Sequence, residues 1–512
     1  MLVKTYGSAV QGIDATTVTI EVNVSRGISF HLVGLPDSAV KESYQRIDSA
    51  IRTSGYEMPH YKTVINMAPA DIRKEGSAYD LPLAMGILGA SGQVGPGMLK
   101  DYLMMGELSL DGGLKPIRGV LPIAIQARKE GFTGMVLPAR NAREAAVVND
   151  LEVYGVDHIG QVTRFFNGQA SPAKTVVNTR EEFFANLADH EMDFADVKGQ
   201  QSVKRALEVA AAGSHNIIMI GSPGAGKTML AKRLPTILPP LTLHEALETT
   251  KIHSVAGTFD SESSLMTRRP FRSPHHTSSN VALIGGGSFP QPGEISLAHN
   301  GVLFMDELPE FPRNVLEVMR QPLEERSITI SRSKTTVEYP ANFMLVASMN
   351  PCPCGYYNHP EKECVCPPGH IQRYKNRISG PLLDRIDLHT EVVPVNYDEL
   401  STTRENETSR EVRERVTQAR QMQTERFRDY PGVYSNAQMT SKMIHHYCQI
   451  DKAGANLLKK AMESRGLSAR AYDRILKVSR TIADLNQSQN IQAFHLAEAI
   501  QYRSLDRESW GS

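Results

Sequence analysis

Apolar positions over the first 167 residues change period several times, which predicts short strands alternating with amphipathic helices. TVTIEVNV over 17–24 alternates as a half-buried strand, and residues 27–33 read as its hairpin partner. Asp37 stands at an N-cap position before SAVKESYQRIDSAIRTSG, whose Val40, Tyr44, Ile47 and Ile51 share one helical face, ended by Gly55. Residues 62–67 read as a further strand, 81–88 as a buried helix, and 119–129 as a helix followed by Gly131. This is the pattern of an α+β domain.

From residue 215 the pattern changes. Ile217 to Ile220 run apolar without alternation, as does a strand covered on both faces of a parallel sheet. GVLFM over 301–305 and FMLVASM over 343–349 have the same character, so residues 193–394 form an α/β core. A helix is predicted over 317–326, followed by SITISRSKTTVEY over 327–339 as two strands around a short turn with Arg332 and Lys334. Residues 395–512 are helical: a charged, solvent-facing helix within 396–428, then KMIHHYC, AGANLLKKAMES, SARAYDRILKVSRTIADL and AFHLAEAIQYR. Residues 168–192 open with Gly, Ser and Pro and read as a linker.

The chemistry gathers where buried strands end. After Ile220 come Gly221, Ser222, Pro223, Gly224, Ala225, Gly226, Lys227, Thr228 and Met229, then an amphipathic stretch. Strand, Gly-rich loop and helix in that order make a phosphate cradle of backbone N–H groups, with Lys227 for the outer phosphates and the Thr228 hydroxyl for Mg²⁺. The 301–305 strand delivers Asp306 and Glu307, placed to hold Mg²⁺ and to polarise an attacking water. The residues alone therefore describe a Mg²⁺-dependent P-loop nucleotide hydrolase. His215 and Asn216 read as ordinary strand-entry residues. His275 and His276 are expected on opposite sides of an extended chain, in a structural or DNA-facing loop.

Cysteine usage adds a second candidate site. Of five cysteines in 512 residues, four fall at Cys352, Cys354, Cys364 and Cys366, two Cys-x-Cys pairs compatible with a tetrahedral thiolate zinc site that staples a loop. Reduced free thiols are the competing reading, and His359 or His370 are possible replacement ligands. Cys448 reads as a small core or surface residue and not as a nucleophile. Lys+Arg and Asp+Glu both number 56, so any DNA contact must come from local patches. No apolar run approaches membrane-spanning length and the N-terminus carries no signal-peptide core, so the expected location is cytoplasmic.

HLVGLPDSAVKES, KEGSAYDLPLA and GELSLDGGLKPIRGVLPIA in residues 1–167 resemble the N-terminal domain of the Mg chelatase-like ComM/YifB family, whose fold is shared with the Lon protease catalytic domain. PHHTSSNVALIGGG, PGEISLAHNGVLFMDELPEF and SGPLLDRIDL extend the resemblance over nearly the whole chain. It implies a Lon-protease-like domain, an AAA+ core and a helical lid. It also implies a hexameric ring with ATP bound between subunits, acting on single-stranded or branched DNA in branch migration, recombination or natural transformation. Asn350 then matches sensor 1, Arg470 the sensor 2 arginine, and Arg385 the arginine finger, ahead of Arg373 and Arg377. A surface arginine paired with Asp384 or Asp387 is the plainer alternative for Arg385. The 327–339 hairpin would enter the ring pore, making Arg332 and Lys334 phosphate contacts, unless they form a solvated edge. Three other functions stay open: a chelatase- or chaperone-like ATPase remodelling a protein, a non-catalytic DNA scaffold, and a Ser/Lys peptidase. Against the last, Ala78 stands at the aligned nucleophile, with Ser77 one residue early, and Ile117 at the aligned lysine, between Lys115 and Arg118.

Overall fold

The computed structural model describes residues 1–185, 192–260, 263–287, 290–332, 335–359, 361–395 and 406–503. The chain divides into two compact units, Met1–Leu187 with Thr242–Thr267, and Ala188–Leu241 with Arg268–Ser512.

In the first unit seven strands form one sheet in the order Phe30–Val33, Lys62–Ala68, Asp14–Ser25, Leu2–Gln11, Tyr102–Met104, Gly134–Pro138 and Glu152–Val156. The hairpin partner of Asp14–Ser25 is Leu2–Gln11, closing at Gln11 and Asp14. The expected pairing with residues 27–33 does not occur. Phe30–Val33 instead runs parallel to Lys62–Ala68, because the helix Ser38–Thr53 intervenes and a crossover of that length returns the chain parallel. Asp37 caps this helix, accepting from Val40 N at 2.8 Å. The helix Asp80–Ala90 is buried along its whole length. A Cβ on its Gly86 would lie 2.6 Å from Val22 Cγ2, so only glycine lets helix and strand approach this closely. Asp80, fully buried, accepts 2.7 and 2.9 Å hydrogen bonds from Arg46. Burial raises the Asp80 pKa, opposed by the Arg46 guanidinium. The helix Leu243–Ala256 is built into this same unit, where Gly119 N donates to Ser254 O at 3.0 Å.

The second unit holds a five-stranded sheet, Phe271–Arg272, Val302–Met305, Met344–Met349, Ile217–Gly221 and Leu388–Val392, parallel throughout. Its inner strands are buried residue by residue, as their unbroken apolar runs require. The order sets Val302–Met305 and Ile217–Gly221 on either side of Met344–Met349, so the segments leaving their C-terminal ends emerge side by side. Ser327–Arg332 and Thr335–Pro340 form an antiparallel hairpin. Helices Ser409–Arg426, Ser441–Tyr447, Lys452–Arg465, Ala469–Leu485 and Ala493–Gln501 follow. Ser409–Arg426 is less solvent-facing than its charge suggests. Val412, Val416 and Ala419 are buried, while Arg415 pairs with Glu208 at 2.6 Å and Arg420 donates to Ala211 O and Ala212 O. Long arginine stems lie along apolar surface while their heads find partners. Among the described residues no helix is long and apolar enough to cross a membrane.

Candidate active site

Residues 222–226 turn from strand into helix through Gly224 and Gly226, whose φ of 80° and 91° favour glycine. The helix Lys227–Ile237 begins there. Lys227 Nζ folds back to donate to Gly221 O at 2.6 Å, Ser222 O at 3.0 Å and Asn350 Oδ1 at 3.0 Å. Burial lowers the Lys227 pKa, against the raising influence of Asp306 and Glu307. Thr228 Oγ1 donates to Asp306 Oδ2 at 2.8 Å, and Glu307 N to Asp306 Oδ1 at 3.1 Å. Ser348 Oγ also donates to Asp306 Oδ1. Ser348 was not singled out from the sequence, although a hydroxyl inside the apolar run FMLVASM is a signal that could have found it. Among the described residues the buried Ser222 hydroxyl has no hydrogen-bond partner. An orphaned polar group here, beside an amine satisfied only by its own loop and Asn350, is what a phosphate-accepting cradle leaves when self-closed.

Glu307 stands in the left-handed region, φ 53° and ψ 49°, with its side chain half exposed. His276 Nδ1 lies 3.4 Å from Glu307 Oε2. The His275 and His276 rings do not point apart as expected. Their centroids lie 4.1 Å apart with the ring planes tilted by 32°, because the chain turns at His276 and is not extended. His276 also meets the ring of buried Phe311 edge-on. Thirty residues of sequence separate His276 from Glu307, and only the parallel pairing of Phe271–Arg272 with Val302–Met305 brings them together.

Arg385 and Arg470 belong to another constellation. Both line a cavity of about 230 Å³ with Glu324, Asp384, Arg474 and Lys477. The Arg385 guanidinium is buried and pairs with Glu324, not with Asp384 or Asp387, and its Nε has no partner among the described residues. Exposed Arg470 pairs with Asp384 at 3.2 Å, in the first turn of the helix that Ser468 caps. Arg377 is held by Glu310 at 2.6 Å, and Arg373 is exposed. Behind the cavity His215 and Asn216 are more than strand-entry residues. Fully buried His215 bridges Asp387 Oδ2 at 3.2 Å and Thr481 Oγ1 at 2.8 Å, and Asn216 Nδ2 donates to Arg385 O at 3.0 Å. Arg474 pairs with Asp387 at 2.8 Å. Burial opposes ionisation of Asp387, yet Arg474 and His215 hold its pKa well below the usual carboxylate range. Burial drives the Lys477 pKa down to about 8, helped by Arg474.

The four cysteines 352, 354, 364 and 366 converge, with sulfurs all within 4.8 Å of one another. Cys352 Sγ lies 3.3 Å from Cys354 Sγ and 3.7 Å from Cys364 Sγ, and the Cys354–Cys364 separation is 3.7 Å. Zn–S bonds of about 2.3 Å in a tetrahedron place sulfurs about 3.8 Å apart, so the donor set fits zinc. Cys448 is buried, its thiol pushed up to about 12 by burial. Of the candidate DNA contacts, Arg332 ends its strand opposite Thr335, and Lys334 lies outside the described residues. Ser77 Oγ donates to the Glu107 carboxylate and not to a lysine amine, so the Ser/Lys pair that a peptidase of this kind needs is not assembled at Ser77.

A parallel sheet ordered in this way, with a P-loop on one strand, acids on another and a helical domain after the last, defines an AAA+ ATPase. Three family models match: "Magnesium chelatase, subunit ChlI" over residues 193–400, "Subunit ChlI of Mg-chelatase" over 20–141, and "Magnesium chelatase, subunit ChlI C-terminal" over 406–503. Competence protein ComM of Haemophilus influenzae is 45% identical over 504 residues, covering 98% of this chain and 97% of its own. Protein YifB of Escherichia coli is 43% identical over 504 residues, covering 98% and 96%. Lon protease 1 of Herpetosiphon aurantiacus is 28% identical over 179 residues, 32% of this chain and 21% of its own. The chain belongs to the Mg chelatase-like ComM/YifB family of AAA+ ATPases, which implies ATP and Mg²⁺ as its cofactors.

Proposed function

We propose that the protein is an ATP-driven DNA motor, a hexameric ring that performs branch migration or strand separation during recombination or natural transformation. The observation that carries this reading is the 45% identity, over almost the full length of both chains, to a protein named for competence. In this reading Lys227 leaves its loop carbonyls for the outer phosphates, and Thr228 and Asp306 open their mutual hydrogen bond to hold Mg²⁺. Mg²⁺ held by Thr228 and Asp306 would supply charge neutralisation for the transferring phosphoryl group. Glu307 takes the proton from the attacking water, and Asn350 orients that water once Lys227 releases it. Arg385 and Arg470, gathered in a separate cavity, complete the site of the neighbouring subunit. Arg332 and Lys334 contact DNA phosphates from the hairpin, and the four cysteines hold structural zinc.

ATPase activity measured with single-stranded, branched and duplex DNA tests the motor reading. Stimulation by DNA followed by ATP-dependent strand displacement is expected; stimulation by no DNA structure rejects it. Replacing Arg332 and Lys334 together with Ala should weaken DNA binding and flatten its salt slope by about two charges, read from binding isotherms between 50 and 200 mM salt. The match of residues 193–400 to the magnesium chelatase model favours protein remodelling as the second reading, and DNA-independent ATPase activity would point to it.

A further inference from the structure

The cysteine cluster touches the nucleotide site from two directions. Fully buried Cys352 follows Asn350 by two residues, and Asn350 Oδ1 accepts from Lys227 Nζ at 3.0 Å. A turn then closes from Gly355 N to Cys352 O at 3.0 Å, and Gly355 adopts φ 85°. A Cβ on Gly355 would lie 2.4 and 2.7 Å from the ring carbons of Pro223, inside the P-loop. The cluster backbone therefore lies directly on the P-loop with no room for a side chain, while its first cysteine stands two residues from Asn350, which accepts from the P-loop lysine. The second Cys-x-Cys pair closes the arrangement, with Cys354 N donating to Cys366 Sγ at 3.4 Å.

Thiol groups alone supply only weak hydrogen bonds, whereas a tetrathiolate metal site contributes folding energy to the loop that carries it. We infer that zinc held by Cys352, Cys354, Cys364 and Cys366 sets the shape of the P-loop through Gly355 and Asn350, so that metal loading and nucleotide affinity are coupled. This rests on the zinc reading of the cluster. Coupling of this kind is reciprocal: whatever factor zinc adds to nucleotide affinity, nucleotide adds to zinc affinity.

The test uses the full chain in reducing buffer, with zinc counted by atomic emission and affinity measured by titration of a fluorescent ATP analogue. Withdrawing zinc with a chelator should weaken analogue binding by about tenfold, within the range typical of site coupling, and restoring zinc should recover it. Bound analogue should raise zinc affinity by the same factor. Because metal-free protein can lose its fold, Gly355→Ala supplies a second arm. This variant should keep one zinc per chain yet bind the analogue several-fold more weakly. Analogue affinity unchanged to within about twofold, in folded protein stripped of zinc or in fully zinc-loaded Gly355→Ala, overturns the coupling. Protein that neither carries nor takes up zinc rejects the metal reading itself, and the coupling with it.

Discussion

Replacing Arg385 with Ala probes the division of the site into two constellations. The guanidinium is buried against Pro381 O and Glu324, whose own side chain is 57% exposed. With one partner largely in water the pair is worth no more than about 1 kcal/mol, so in the proposed ring a phosphate held by the adjoining subunit competes easily with Glu324. Arg385→Ala strands no buried charge. Its cost to the fold is the lost packing of one buried side chain, about 1–2 kcal/mol. The rate should instead fall by a factor on the order of 10³ to 10⁵, about 4–7 kcal/mol of transition-state stabilisation, while ATP affinity changes less than about threefold. Phosphate release at ring-forming protein concentration gives the rate, and a fluorescent ATP analogue gives the affinity. Mixing the variant with an equal amount of Lys227→Ala should restore about one quarter of wild-type activity, the share of head-to-tail interfaces in which intact P-loop meets intact arginine. A rate within about tenfold of wild type, or a mixture no more active than its parts, would refute the reasoning.

His276→Ala removes the ring beside Glu307 and should lower kcat by about tenfold with KM unchanged, as expected for a residue that positions the base, and His276→Gln should recover part of the loss. An unchanged kcat in His276→Ala would show that the contact is passive. Asp387 has its folded pKa below the unfolded value, so its stabilisation is complete above about pH 4 and is lost as pH falls through the folded value. Thermal melts between pH 7 and 3 should show wild type losing stability below about pH 4 and Asp387→Asn, though less stable at pH 7, losing less over that window. Arg46→Ala leaves Asp80 buried and uncompensated and should cost about 3–5 kcal/mol by denaturant unfolding, whereas the double replacement with Asp80→Asn should recover much of that loss.

Local grammar made much of the chain legible from its residues. Asp37 marks a helix start because its carboxylate satisfies an orphaned N–H, and the unbroken apolar runs at 217–220 and 343–349 mark buried strands because both faces are covered. The two Cys-x-Cys pairs likewise announced a cluster that the fold draws to within 4.8 Å. Pairing was not legible. Residues 27–33 read as a strand, but nothing in them names the strand alongside, and the neighbour of Phe30–Val33 proved to be Lys62–Ala68.

Partnerships between side chains far apart in sequence were decided by tertiary structure alone. His276 beside Glu307, His215 between Asp387 and Thr481, Gly355 on Pro223 and Glu324 holding Arg385 depend on strand order and on where the helices settle. No local pattern encodes such contacts, because a side chain's partner is chosen by how the backbone is folded in space and not by its neighbours along the chain. Sequence by itself determined the kinds of chemistry available, a phosphate cradle, a pair of acids and a set of thiols, since each depends on residue types at short spacing. The fold decided which of these groups share a wall.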